Sequence, residues 1–277
     1  MEGKMIRMEC CDNKGNNRAK VLMEQGKPTL GSWLSVSSCQ SAEVMSYIGF
    51  DWLVIDMEHA PHSFETVENM IRTIERTEVV PMVRVSWNDP VLMKLALDRG
   101  AKGIVVPWVN TKEEAEKAVR GCMFPPKGQR GIGGGRTTKY DLDEGKYMAN
   151  ANEDNLVIIQ IETIGAVDRI DEIFEVEGLG GAFIGPADLS ASMGMFGQLS
   201  RPEFEAAVMR VLEAGKKHGV PVGIHVGSNE AAIKRINQGF QFMAICDDIE
   251  FMINGAKNAL SEISKGCGNR VGLERQQ

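Results

Sequence analysis

The 277-residue chain has little of what marks a binder of charged polymers. Its formal net charge is −7. The basic residues are scattered rather than clustered, so there is no electrostatic footprint for nucleic acid or for an anionic membrane. The six cysteines form no C-x-x-C pair and no metal-ligand spacing, which argues against a cysteine-built metal centre and suits a reducing compartment. No apolar run reaches the roughly 18 residues that span a bilayer, and Met1–Lys20 lacks the apolar segment of a secretory signal. No shift in composition marks a second domain, and a hydrophobic content of 43% provides for one substantial core. These absences predict a cytoplasmic protein whose partners are small molecules, with no nucleic acid and no membrane among them.

What is present is an alternation. Short β-branched or apolar runs are expected as strands at Thr29–Leu34, Trp52–Asp56, Val80–Val85, Gly103–Pro107, Val157–Glu162, Ala182–Pro186, Val222–His225 and Phe242–Cys246. Between them lie amphipathic stretches with helix-start residues such as Ser63, Asn110-Thr111 and Ser200. Eight strand–helix units in roughly 250 residues predict a single-domain α/β protein, a (β/α)8 TIM barrel, rather than an open doubly wound sheet. The expected layout is a weakly ordered N-terminal extension over 1–20, the barrel over 21–265 and a C-terminal tail over 266–277. One irregular piece, 125–155, holds the run Gly131-Ile-Gly-Gly-Gly-Arg136 and is expected to be a substrate loop, with Arg130 or Arg136 meeting a carboxylate. It does not continue into Gly-Lys-Ser/Thr, so it is not a phosphate loop.

In a barrel, reactive groups belong at the C-terminal ends of the strands. Asp56, Glu58 and His59 follow the second strand, Arg84 ends the third, Gln160 and Glu162 end the fifth, and Gly185-Pro-Ala-Asp188 follows the sixth. Period-two geometry puts Ile158, Gln160 and Glu162 on one face, and Ile184, Pro186 and Asp188 on another wherever extended backbone continues. Two carboxylates, Glu162 and Asp188, then converge. Burying them together is costly without a cation, and with oxygen donors alone the expected ion is Mg2+, Mn2+ or Co2+. Asp56 and Glu58 are expected beside the site as orienting groups. His62 is read as solvated, His218 as a helix C-terminal charge, and His225 as packing more than chemistry.

Several motifs together carry a resemblance. Gly31-Ser-Trp-Leu, Asp51-Trp-Leu-Val-Ile-Asp-Met-Glu-His-Ala-Pro, Val83-Arg-Val-Ser-Trp-Asn-Asp-Pro, Phe124-Pro-Pro-Lys-Gly-Gln-Arg-Gly, Gln160-Ile-Glu-Thr and Phe183-Ile-Gly-Pro-Ala-Asp-Leu-Ser resemble, in order, the HpcH/HpaI aldolase family. The resemblance implies a metal-dependent class II aldolase on a TIM barrel that cleaves a 4-hydroxy-2-oxo acid to pyruvate, or a related 2-oxo acid, and an aldehyde. It implies Glu162 and Asp188 as metal ligands, Gln160 and the backbone of Ala187 together with Asp188 as contacts to the 2-oxo acid, and His59 as the base. Arg84 would stabilise the enolate, and Asp98 would raise the basicity of the histidine. A homo-oligomer, a hexamer by resemblance, is expected. A metal-dependent decarboxylase, an acyl-CoA lyase and a non-catalytic metabolite-binding barrel are the alternatives, whereas a Schiff-base aldolase lacks a lysine at any strand end.

Overall fold

The computed structural model describes residues 17–267. Eight parallel strands close into a barrel in sequence order: β1 (Thr29–Leu34), β2 (Trp52–Asp56), β3 (Val80–Arg84), β4 (Gly103–Val106), β5 (Leu156–Ile161), β6 (Gly181–Ile184), β7 (Val222–Val226) and β8 (Phe242–Asp247). The helices in chain order are α1 (Arg18–Glu24), α2 (Cys39–Tyr47), α3 (Phe64–Ile74), α4 (Pro90–Asp98), α5 (Lys112–Cys122), α6 (Glu144–Asp154), α7 (Ile164–Asp168), α8 (Ile170–Phe174), α9 (Pro186–Ser192), α10 (Pro202–His218), α11 (Asn229–Gln238) and α12 (Asp248–Cys267). The TIM barrel expected from the alternation is the fold. Among the described residues no helix is long and apolar enough to cross a membrane.

The strand alternation sorts the core into two layers. Leu53, Ile55, Ile159, Ile161, Val222 and Ile224 point outward into the layer shared with the helices. Trp52, Val54, Met82, Ile158, Phe183 and Phe242 fill the barrel itself. Trp52 stacks on Phe242 at 3.9 Å between ring centroids, and glycine makes room for this pair. A Cβ on Gly31 would lie 2.1 Å from the Trp52 ring, and one on Gly223 would lie 2.1 Å from the Phe242 carbonyl oxygen.

Side-chain oxygens start most helices by accepting a free amide. Ser63 accepts from Thr66 at 3.1 Å, and Thr111 accepts from Glu114 at 3.3 Å. Ser200 does not play this part: α10 starts after Arg201 with Pro202 in its first turn and no side-chain cap.

The bottom of the barrel is closed by α1, which begins inside the stretch expected to be a loose extension. Asn17 Nδ2 donates to the carbonyls of Lys102 (2.7 Å) and Asp154 (3.0 Å), and Ala19 and Met23 enter the interior layer. Expectations for 1–16 and 268–277 lie outside the described residues.

The glycine-rich insertion is not where a substrate loop would have to be. It joins the C-terminus of α5 to the start of β5, so topology puts it on the N-terminal face, away from the strand ends that form a barrel's active-site mouth. Its arginines are consumed there. Arg130 is buried, pairs with Asp98 at 2.8 Å, donates to Tyr147 Oη at 2.9 Å and lies over the Phe124 ring. Arg136 pairs with Glu75 and donates to the Arg99 carbonyl.

Candidate active site

The end of β2 is shaped by one aspartate. Asp56 is the last residue of the strand, and its Oδ1 accepts from the amides of Glu58 (3.0 Å) and His59 (3.3 Å). This is the local turn that an Asp side chain makes with the backbone following it. The same carboxylate accepts two bonds from Arg84, Nε to Oδ1 at 2.8 Å and Nη2 to Oδ2 at 2.7 Å. Strands β2 and β3 set this up by pairing Asp56 with Arg84 in register. Glu58 Oε2 sits 3.1 Å from Arg84 Nη1 as an ion pair without hydrogen-bond geometry. The guanidinium lies 4.5 Å over the Trp33 ring, a cation–π contact at the floor of the mouth. His59 stands at the rim, its side chain 67% exposed, with Nε2 3.8 Å from Glu58 Oε2.

Across the mouth, β5 delivers Gln160 and Glu162 on the interior face, as its alternation predicts, with Ile159 and Ile161 outside. Glu162 Oε2 accepts from the Trp108 amide at 3.0 Å, and Oε1 accepts from Gln160 Nε2 at 2.9 Å. Trp108 takes the left-handed backbone (φ 55) as it makes this bond. A Cβ on Gly185 would come within 2.6 Å of Glu162 Oε1, so glycine is what admits the carboxylate there. Extended backbone does not continue past β6: Pro186-Ala187-Asp188 is the first turn of α9, and that turn, not a strand, carries Asp188.

The electrostatics of the mouth are unbalanced. Burial pushes Glu162 up to about 7, opposed by the Trp108 amide and reinforced by the charges of Glu58 and Asp188. Glu58 is raised by burial too, against the pull of Arg84. Asp56 meets the same burial penalty, yet the Arg84 bonds and two amides hold it below the ordinary aspartate range. Arg84 is thus already committed to Asp56 and Glu58 and acts on Glu162 only through space, so among the described residues the Glu162–Asp188 side has no cation bonded to it. Gln160 Oε1 is also buried without a partner. Among the described residues no three His, Cys, Asp or Glu side chains converge as a ready metal cage. Two carboxylates and a spare amide oxygen fit instead a hard divalent ion completed by water or substrate, not a closed structural site.

The family profile of HpcH/HpaI aldolase/citrate lyase matches residues 29–255. The chain belongs to this family. The 4-hydroxy-2-oxo-heptane-1,7-dioate aldolase of Shigella flexneri is 39% identical over 243 residues, 87% of this chain and 91% of that protein. The crystal structure of a family protein from Burkholderia cenocepacia J2315 superposes with a TM-score of 0.86 at 36% identity, covering 89% of this chain and 99% of that one. An HpcH/HpaI aldolase from Desulfitobacterium hafniense DCB-2 gives 0.83 at 25% identity, over 92% and 98% of the two chains. Membership of the HpcH/HpaI family makes this chain an enzyme, a lyase of the aldolase type.

Of the residues singled out from sequence, the fold brings Asp56, Glu58, His59, Arg84, Gln160, Glu162, Ala187 and Asp188 to one end of the barrel. Asp98 is not among them. It is the last residue of α4, a helix that returns to the N-terminal face, and there it accepts from Arg130. His62 is not solvated: it is buried, with Nδ1 2.9 Å from Ser37 Oγ and Nε2 3.1 Å from the Leu34 carbonyl, pinning the loops after β1 and β2 together. His218 bonds Asp171 at the end of α10. A concavity of about 1610 Å³ lies at the opposite end, lined by Asn17, Arg120 and Gln241 among others, and touches none of the strand-end residues. Trp33 is a site residue that the motif Gly31-Ser-Trp-Leu contains without marking it, because only the barrel's closure puts it under Arg84.

The Asp56–Arg84 pair should also support the fold. Asp56→Asn breaks a desolvated pair, and about 3 kcal/mol of lost stability is expected at pH 7, a Tm drop of roughly 6–12 °C for a chain of this size. Because the folded-state pKa of Asp56 is depressed, its contribution is present above the ordinary value of 3.8 and lost as pH falls through the folded value. Denaturant titrations should therefore show the gap between wild type and variant closing below that pH; an unchanged gap contradicts the assignment.

Proposed function

We propose that the chain catalyses the divalent-metal-dependent retro-aldol cleavage, and the reverse addition, of a 4-hydroxy-2-oxo acid to pyruvate or a related 2-oxo acid plus an aldehyde. The observation that carries this reading is the pair Glu162 and Asp188, with no cation bonded to it among the described residues, facing an arginine held in place by two other carboxylates. Glu162 and Asp188 would hold Mg2+, Mn2+ or Co2+, which when bound supplies a Lewis acid for the 2-keto group. Gln160 and the backbone of Ala187 would contact the 2-oxo acid and orient it.

Arg84 has no freedom to turn away, since Asp56 grips two of its nitrogens and Trp33 lies beneath it. It offers fixed positive charge to the oxygen on which negative charge develops, an arrangement that needs little reorganisation during reaction. His59 Nε2, at the open rim, accepts the proton of the 4-hydroxyl, and the Glu58 carboxylate 3.8 Å away stabilises the imidazolium that results. The bond between C3 and C4 then breaks as the aldehyde leaves. A proton returned to C3 completes pyruvate.

The second half of this proposal is a homo-oligomer, for which the family resemblance implies a hexamer. Support comes from α12, whose only buried residue is Asp248 although Ile249, Phe251, Met252, Ile253, Leu260 and Ile263 stand exposed along it. Val44 and Tyr47 on α2, Ile48 just after it and Leu30 on β1 are exposed apolar side chains as well. A second copy laying its α12 over such a face would bury both sets. An oligomer also bears on Asp98, which can serve His59 only from another copy.

Pyruvate release from a panel of 4-hydroxy-2-oxo acids tests the chemistry: activity should vanish in EDTA and return with Mn2+ or Mg2+. His59→Ala should lower kcat by about 10²–10⁴, and Arg84→Lys should lower kcat more than it raises KM. Full activity in EDTA with borohydride trapping of pyruvate on the protein would overturn the reading. For the assembly, sedimentation should give a multiple of the 30.4 kDa chain mass, reduced by the double substitution Ile253→Asp and Leu260→Asp. A wild-type monomer contradicts it.

A further inference from the structure

The reading above places the 2-oxo acid end of the substrate on the β2, β3, β5 and β6 side of the mouth. Of the four strands left, β4 stands alone between β3 and β5, and β7, β8 and β1 form the one contiguous wall that remains for the aldehyde half, beyond the bond that breaks. That wall has an unusual construction. His225 is in register with Ala244, an interior-facing residue, while Val222, Ile224 and Val226 on the same strand pack outward. Its imidazole therefore points into the barrel, and no hydrogen bond from it to a described residue is formed. Burial lowers its proton affinity against the opposing charges of Glu250 and Asp247, with Arg84 acting in the same direction as burial.

Next to it, β8 carries an irregularity. The pairing of β1 with β8 slips between Gly31 and Trp33, so that Trp33 meets Asp247, and Cys246 takes a left-handed backbone with φ 52. A bulge of this kind re-aims the following side chain, here bringing Asp247 into register with Trp33, the residue under Arg84. Asp247 Oδ1 accepts from the Glu250 amide at 2.6 Å, while Oδ2 is met only by Ser35 Oγ at 3.5 Å. Strand β7, strand β8, the loop Ser35–Ser38 and the first turn of α12 contain no lysine or arginine.

We infer that His225 and Asp247 form the subsite for the aldehyde half of the substrate and that this subsite takes a neutral, hydroxyl-bearing aldehyde in preference to one that ends in a carboxylate. The inference rests on the aldolase reading and deepens it. A hydroxyl needs one donor and one acceptor, which an uncharged imidazole and a carboxylate oxygen supply between them. A substrate carboxylate arriving at the same place meets Asp247 and Glu250 on a wall whose own elements carry no lysine or arginine, while Arg84, the cation within reach, is already paired with Asp56 and Glu58; like charges brought together out of bulk water repel. The relatives named for a heptane-1,7-dioate act, by that name, on a substrate with a second carboxylate at its far end; this wall disfavours one.

The test runs the reaction in the addition direction, with Mn2+, pyruvate and three acceptors: glyceraldehyde, propionaldehyde and succinate semialdehyde. Wild type should favour glyceraldehyde over succinate semialdehyde by at least about tenfold in kcat/KM. His225→Leu should lose about tenfold or more with glyceraldehyde and little with propionaldehyde, and Asp247→Asn should improve succinate semialdehyde relative to glyceraldehyde. Exchange of the pyruvate methyl protons with deuterated water, followed by NMR, needs only the 2-oxo acid half and should survive in both variants, which also reports that they are folded. A preference for succinate semialdehyde, or an equal loss with every acceptor in His225→Leu, overturns the subsite while exchange leaves the aldolase reading standing. Absence of exchange in wild type with Mn2+ overturns both.

Discussion

The bidentate pair between Asp56 and Arg84 is the contact on which the mouth of this barrel depends. One carboxylate ties the end of β2 to the end of β3, and the same oxygen that accepts from Arg84 Nε also turns the chain so that Glu58 and His59 face the opening. Charge-assisted, two-pronged bonds of this type are directional as well as strong. Both partners are taken largely out of water, so neither can be lost without leaving the other exposed to a desolvation cost. The arginine is thereby presented as part of the scaffold and not as a mobile side chain.

That commitment leaves the other side of the mouth with an electrostatic debt. Glu58, Glu162 and Asp188 repel one another across the opening, and Glu162 is driven up to about 7 by burial and by the other two. A fold selected for stability alone would not bring them together. The backbone goes to some length to do so: Gly185 has no side chain where Glu162 lies, and Trp108 is left-handed where its amide meets the same carboxylate. Strain and like-charge crowding at a strand end are marks of a functional site. A divalent ion is the simplest group that relieves both the repulsion and the partnerless Gln160 oxygen.

Much of this was legible in the sequence because it depends on local period. The strands stand out as short β-branched runs, and the parity of β5 assigns Gln160 and Glu162 to the interior without knowledge of any neighbour. Asp56 is legible as an orienting group beside the site, but its turn onto the Glu58 and His59 amides and its clamp on Arg84 needed the structure and the β2–β3 register. What could not be read was set by closure and by topology. The glycine-rich insertion has the composition of a substrate loop, yet a helix-to-strand connection returns to the wrong face, where Arg130 and Asp98 satisfy one another. His62 looked like a solvated residue before a helix and is a buried clip between two loops. Asp247 reaches the mouth through a register slip between the first and last strands, more than 200 residues apart in sequence, a distance over which no sequence period extends, whereas His225, read as packing, is turned into the barrel by the alternation of β7 and its register with Ala244. The apolar residues of α1 are too few to announce a plug.

The central claim is that the mouth is built to bind one divalent cation through Glu162 and Asp188. Titration of the metal-stripped protein with Mn2+, followed by the loss of the free-ion EPR signal, reads this without reference to turnover. One ion per chain should bind, and Glu162→Gln or Asp188→Asn should weaken it by at least about tenfold while His59→Ala leaves it unchanged. Binding of Mn2+ that is the same in wild type and in both carboxylate variants would contradict the account.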